Sequence, residues 1–169
     1  MNPTMAVTVR ELSARREIVL VAVAAAVIAT LMPLMPGLEN YQPDDVRTVS
    51  SNTLALALGW GLALLIGATM IGGDLSEGRL GFYFARPLSG FAVWWGRVLA
   101  ALLLILVCEV LVLVPSLFGG ISVLVSSEDW GWPAVIGYVV IPFLLLLLAH
   151  AVSIMVRART AWLFLCLLY

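Results

Sequence analysis

Charge is scarce in this 169-residue chain: 11% of the residues are charged and 63% are hydrophobic. A soluble domain carries about 25% charge, so a globule built from this sequence would lack a wettable surface. Lysine is absent, and all nine basic residues are arginine. They form no basic patch interleaved with aromatics, which excludes a nucleic-acid surface. Cysteine is nearly absent too. Cys108 and Cys166 lie in separate apolar segments without metal-ligand spacing, and read as small hydrophobes rather than as a disulfide. There is no His/Cys/acid cluster, no Ser-His-Asp spacing and no Gly-x-x-x-x-Gly-Lys-Ser/Thr loop to cradle phosphates. The expectation is a chain that is not an enzyme and carries no catalytic site, metal or cofactor of its own.

What remains is apolar sequence in long runs. Stretches of ~17–28 residues separate the charged clusters, and ~20 helical residues cross the ~30 Å hydrocarbon layer. Lipid offers no partner for backbone N–H and C=O groups, so only helices or closed barrels span it. Barrel strands alternate apolar and polar residues. These runs do not, and the fold expected is an all-α, polytopic transmembrane helical bundle.

The spans are placed at about 18–35, 52–72, 91–118 and 134–156, with the start of a fifth at 160. The first is longer than the ~7–15 apolar residues of a cleaved signal. Pro33 and Pro36 end it, and Pro142 predicts a kink in the fourth. Residues 37–51 read as a polar, acidic loop with Glu39, Asp44, Asp45 and Arg47. The fifth run stops at Tyr169, half a span in, so the polypeptide is expected to continue. Ahead of the first span, residues 5–17 are mildly amphipathic, with Met5, Val9 and Leu12 on one face and Glu11 four residues before Arg15. They read as a short helix on the membrane surface or as a free tail.

Arg10, Arg15, Arg16, Arg79, Arg86, Arg97, Arg157 and Arg159 fall on one side of the alternating spans, and Arg47 alone on the other. By the positive-inside rule the N-terminus is cytoplasmic, in a multi-pass protein of the plasma (inner) membrane. Trp94 and Trp95 then sit at the inner interface, and Trp130 and Trp132 at the outer one. In the second span, Ala55, Gly59, Ala63 and Gly67 recur every four residues. Such a stripe lets helix backbones approach closely, either within the bundle or between subunits.

Two polar residues interrupt the apolar runs. Glu109 lies 12 residues past Arg97, roughly 18 Å from the inner boundary. A charged carboxylate at that depth costs about 2.5–3.5 kcal/mol or more, so it should face other helices or water, either in a substrate or ion pathway or as a structural hydrogen-bonding group. His150 is roughly 10 Å from the same boundary, too shallow to favour a pair with Glu109. It reads as a bonded core residue, with Ser153 as its candidate partner.

The most informative stretch joins the second and third spans: Asp74-Leu75-Ser76-Glu77-Gly78-Arg79-Leu80-Gly81-Phe82-Tyr83-Phe84-Ala85-Arg86-Pro87-Leu88-Ser89. Asp74 with Glu77 suits a capping box, and Pro87 disfavours helix at Arg86. A short cytoplasmic helix over about 74–86 results. Leu80, Phe82, Tyr83 and Phe84 are too apolar for a free loop and need the lipid interface or another protein.

This stretch resembles the intracellular loop of the type-2 ATP-binding-cassette (ABC) exporter permeases. Members carry an acidic residue, then Gly and Leu four and six residues on, then Arg-Pro, an aliphatic residue and Ser, then Gly-Lys at the next span. Asp74, Gly78, Leu80, Arg86, Pro87, Leu88, Ser89, Gly96 and Arg97 stand at those places. The departures are Asp74 for the commoner Glu, Gly90 where a basic residue is frequent, and Arg97 for Lys. The resemblance covers about 25 residues in detail and most of the chain in outline, where the family usually has six spans.

The resemblance implies a permease subunit that moves substrate across the membrane, in the export direction, with ATP hydrolysed on a separate ABC ATPase. Asp74, Glu77, Gly78, Arg79, Leu80, Phe82, Arg86 and Pro87 would form the coupling helix that docks into that ATPase. A second permease subunit, identical or different, would complete the pore. Two other readings fit the residues: an ion-coupled secondary transporter or channel using Glu109, and a non-transporting membrane assembly protein held by the small-residue stripe.

Overall fold

A computed structural model describes residues 3–69, 90–117 and 131–168, with side chains placed for residues 4–69, 90–117 and 131–156. The coupling helix over 74–86 lies outside the described residues, as does Trp130. Among the described residues every regular element is helical. They are α1 (Pro3–Ala14), α2 (Glu17–Leu31) with a 3-10 turn (Met32–Leu34), α3 (Pro43–Thr69), α4 (Gly90–Leu117), α5 (Gly131–Val135), a π-helical turn (Ile136–Val140) and α6 (Ile141–Leu168). Four segments are long and apolar enough to cross a membrane: Glu17–Leu34, Pro43–Thr69, Gly90–Leu117 and Gly131–Val156. Large apolar side chains such as Leu20, Val21, Val27, Leu65, Val110 and Leu148 stand exposed along them. A water-soluble monomer rarely presents so much contiguous apolar surface, whereas acyl chains are its natural solvent.

The helix ends follow local chemistry. Pro33 and Pro36 close the first span through the 3-10 turn, and Met35 is extended, as a residue before proline prefers. Gly37 then turns the chain at φ +98°, a conformation that suits glycine. The second span departs from expectation. Its helix begins at Pro43 and not near Asn52, so the acidic loop expected over 37–51 ends at Gln42. Proline at the first helical position loses no intrahelical bond, Asp44 and Asp45 favour the positive end of the dipole, and the Gln42 carbonyl accepts from Val46 N–H at 3.1 Å. Asp44 also pairs with Arg47 at 3.0 Å. Charge ended the apolar run there but had no reason to end the helix.

The far end of the chain differs as well. A fourth span and a separate fifth run were expected around Arg157, yet α6 runs unbroken from Ile141 to Leu168. Arg157 and Arg159 are strong helix formers and break nothing.

The bundle is organised around α4. It packs against α1, α2 and α3 and carries the buried column Val98, Ala101, Leu104, Ile105, Cys108 and Val112. Helices α3 and α6 run in parallel: Tyr138 meets Asn52 near one end, and Ser153 meets the Ala68 carbonyl near the other. Helix α4 runs the opposite way, with Trp94 beside His150. The ends therefore differ in charge. Glu11, Arg15 and Arg97 gather at the His150 end, and Arg47 lies at the Asn52 end.

Candidate functional site

Polar contacts tie the helices together at three places, of which a glycine sets the first and a proline the second. The first joins α1 to α4. Gly96 has no side chain, and a Cβ there would stand 2.9 Å from both the Thr4 carbonyl and Val7 Cβ. That gap lets the Thr8 hydroxyl donate to the Gly96 carbonyl at 3.0 Å, a buried bond. One residue on, Arg97 pairs with Glu11 at 3.5 Å. Glu11 also holds Arg15 at 3.7 Å, the i,i+4 pair expected from spacing. The amphipathic segment is thus a helix docked on α4, and the free-tail reading is set aside.

The second contact is at the π turn. Ile141 N–H bonds to the Ile136 carbonyl, five residues back. In that register the Gly137 carbonyl would next accept from residue 142, but Pro142 has no N–H to give. The Trp60 indole of α3 donates to it instead, at 3.1 Å. The kink expected at Pro142 is therefore a π turn completed from a neighbouring helix. Tyr138, in the same turn, donates to Asn52 Oδ1 at 2.9 Å.

The third contact corrects an expectation. His150 does not pair with Ser153, whose hydroxyl donates to the Ala68 carbonyl at 2.9 Å. Trp94 Nε1 donates to His150 Nε2 at 3.2 Å, and the two rings lie 6.4 Å apart. Trp94 also meets Trp95 edge-on at 5.1 Å, and Trp95 meets Phe91 at 6.0 Å, forming an aromatic group at that end of the bundle.

Ala55, Gly59, Ala63 and Gly67 are all buried within the chain. The stripe serves two neighbours. At Gly67 a Cβ would come within 2.6 Å of the Leu146 carbonyl and 2.9 Å of Ala149 Cβ, so α6 occupies that end. At Gly59 a Cβ would overlap the Glu109 carboxylate of α4. Eight residues separate the two glycines, so the contacts lie about 12 Å apart along α3. His150 and Glu109 accordingly stand at different depths and do not meet.

Glu109 is the unusual member of this set. It is 2% exposed, and neither carboxylate oxygen has a hydrogen-bond partner among the described residues. Buried charges are ordinarily paired and buried acids ordinarily bonded, because an unsatisfied polar group in a low-dielectric interior costs about 1–3 kcal/mol. The intramembrane position was visible in the sequence. The notch that receives the carboxylate was not, since it needs Gly59, fifty positions away, to face α4.

One turn along α4 from Glu109, a cavity of about 170 Å³ opens between α4 and the π turn. Leu102, Ile105 and Leu106 line one side, and Tyr138, Pro142 and Phe143 the other. It exists because α4 and α6 make little direct contact beyond the Trp94–His150 pair. Among the described residues no group of three His, Cys, Asp or Glu could hold a metal ion. The coupling residues Asp74, Glu77, Gly78, Arg79, Leu80, Phe82, Arg86 and Pro87 lie outside the described residues. No known family model matches the chain, and no curated protein or solved structure is detectably similar to it.

Proposed function

We propose that this chain is the permease subunit of a transporter driven by a separate ABC ATPase, working as one of a pair of membrane subunits and exporting its substrate. The observation that carries the reading is the Asp74–Ser89 stretch, with its Gly78, Leu80, Arg86-Pro87 and the following Gly96-Arg97, strung between two membrane-crossing helices. The packing around it supports the reading. Helices α3 and α4 flank the stretch at the arginine-bearing end of the bundle, and α1 is clasped to α4 at Gly96 and Arg97. That end is the cytoplasmic one by the positive-inside rule, in a plasma (inner) membrane, and it is where an ATPase would act. An external motor moves the helices only as far as it favours one arrangement over another, and a short apolar rod between two spans is a suitable handle.

The test is co-purification with an ABC ATPase, combined with two variants in the handle. Arg86→Glu and Pro87→Ala are expected to lower transport and substrate-stimulated ATP hydrolysis severalfold, with unchanged abundance in the membrane. Full coupling in both variants would remove the basis for the proposal. The buried, unpartnered Glu109 favours a second reading, an ion-coupled carrier. Transport that persists without ATPase and collapses in Glu109→Gln under a proton gradient would select it.

A further inference from the structure

We propose that the cavity between α4 and the π turn binds small organic cations bearing a benzene-sized apolar group, with Glu109 as their counter-charge. The site stands whether or not ATP drives the chain.

Size comes first. The cavity holds about 170 Å³, its walls are Leu, Ile, Val, Phe, Pro and Tyr side chains, and it opens to the outside of the bundle beside Val139 and Val140. A cavity of roughly 150 Å³ with such walls stays dry and accepts benzene. The apolar part of a ligand of that size therefore fits here by volume.

Placement comes second. Glu109 is seven residues past Leu102, four past Ile105 and three past Leu106, so all four lie on one face of α4. The carboxylate itself rests against Gly59 of α3, behind the cavity wall, so a cation entering the cavity would draw it from that notch back along α4 toward Ile105 and Leu106. One helical turn, about 5.4 Å, separates it from the cavity walls. A cationic centre held beyond an aromatic ring by a methylene group reaches across that gap.

Charge comes third. Among the described residues, the basic side chains nearest along the packed helices are Arg97 on α4 and Arg47 on α3. Arg97 is twelve positions from Glu109 and Arg47 twelve from Gly59, roughly 18 Å in each case. Both are already paired with acids. From α3 the carboxylate faces Ala55, Gly59 and Ala63, and from α2 the core receives Val19, Ala22 and Ala25. The titratable neighbours are the Cys108 thiol on its own helix and the Tyr138 phenol from the π turn. No protein cation answers this acid among the described residues, and an entering organic cation would. Tyr138 adds a second attraction, because its ring lines the cavity and an aromatic face draws a cation.

The experiment uses the full chain in lipid nanodiscs with radiolabelled benzyltrimethylammonium as the probe, and neopentylbenzene, its neutral carbon isostere, as competitor. The wild type is expected to bind the cation saturably, and the isostere to compete poorly. Glu109→Gln should weaken binding more than about tenfold, since it strips one partner from a buried charge pair. Leu106→Trp fills the cavity while keeping the carboxylate, and should weaken binding comparably. Leu20→Ala, at a side chain 69% exposed on α2, which supplies no wall of the cavity, should leave it unchanged. Equal affinity in wild type and Glu109→Gln overturns the proposal. So does an isostere that competes as well as the cation, which would mean a groove for acyl chains, and so does absence of saturable binding. Should Glu109→Gln fail to fold, Leu106→Trp and the isostere competition decide the matter by themselves.

Discussion

At the scale of single residues, glycines set what can touch. Gly59 and Gly61 lie on the same helix, yet a Cβ at 59 would collide with the Glu109 carboxylate and a Cβ at 61 would meet nothing within 4 Å. Overpacking a filled site costs about 1–3 kcal/mol. Gly59→Ala should therefore destabilise the protein by that amount, and Gly61→Ala should be close to neutral. In a Glu109→Ala background the cost at 59 should shrink to a few tenths of a kcal/mol, because contacting sites are not additive. Unfolding in mixed micelles measures all four. An undiminished cost in the double variant would mean that Gly59 and Glu109 do not touch. Much at this scale was legible beforehand: the small-residue stripe, the inward facing of Glu109 and the Glu11–Arg15 pair all follow from the sequence along one helix. The partner of His150 was not, because spacing offered Ser153, three residues on, while the actual donor is Trp94, which only the packing of α4 beside α6 brings near.

At the scale of elements, the π turn illustrates how a proline defect is repaired from outside. Trp60 supplies the donor that Pro142 lacks at the Gly137 carbonyl. Trp60→Phe should cost about 1–2 kcal/mol, because the Gly137 carbonyl lies at the outside of the bundle, where lipid would offer it no other donor. In a Pro142→Ala background residue 142 regains an N–H, and the same substitution should cost markedly less. A cycle of the four proteins, read by thermal unfolding, checks this. If the Trp60→Phe penalty is the same in both backgrounds, the indole is not standing in for the proline. The sequence indicated that something would happen at Pro142, since the irregularity is local. It could not indicate which residue would complete it. The early start of α3 was a different kind of miss. Hydropathy marks where lipid contact begins, whereas Pro43, Asp44 and Asp45 mark where the helix begins, and the two boundaries lie nine residues apart (52 against 43).

At the scale of the whole molecule, the described helices sort arginine to one end. The Glu11–Arg97 and Glu11–Arg15 pairs lie at the end where Trp94 meets His150, and the Asp44–Arg47 pair lies at the other. Single cysteines placed on a Cys108→Ala, Cys166→Ala background report the sidedness. Asn40→Cys, in the turn before α3, should react with an impermeant maleimide on intact cells. Ser13→Cys, near the end of α1, should react only after permeabilisation. The reverse pattern would invert the orientation and place the Asp74–Ser89 stretch on the wrong side for an intracellular ATPase. The helical class and the four helices long and apolar enough to cross a membrane were open to prediction, because hydropathy and run length follow directly from the sequence. The central position of α4 was not, since α2 and α4 are similarly apolar in sequence yet 11% and 50% buried within the bundle.

Helix α4 is fastened at two levels. Near its start, Gly96 and Arg97 are clasped by α1, and twelve residues on, Glu109 is lodged against Gly59 of α3. Because a continuous helix resists twisting, these two fastenings share one crankshaft. A torque that pulls the acid out of its glycine notch must also work against the α1 clasp. Conversely, whatever grips α1 from outside the membrane has a grip on the carboxylate roughly 18 Å away.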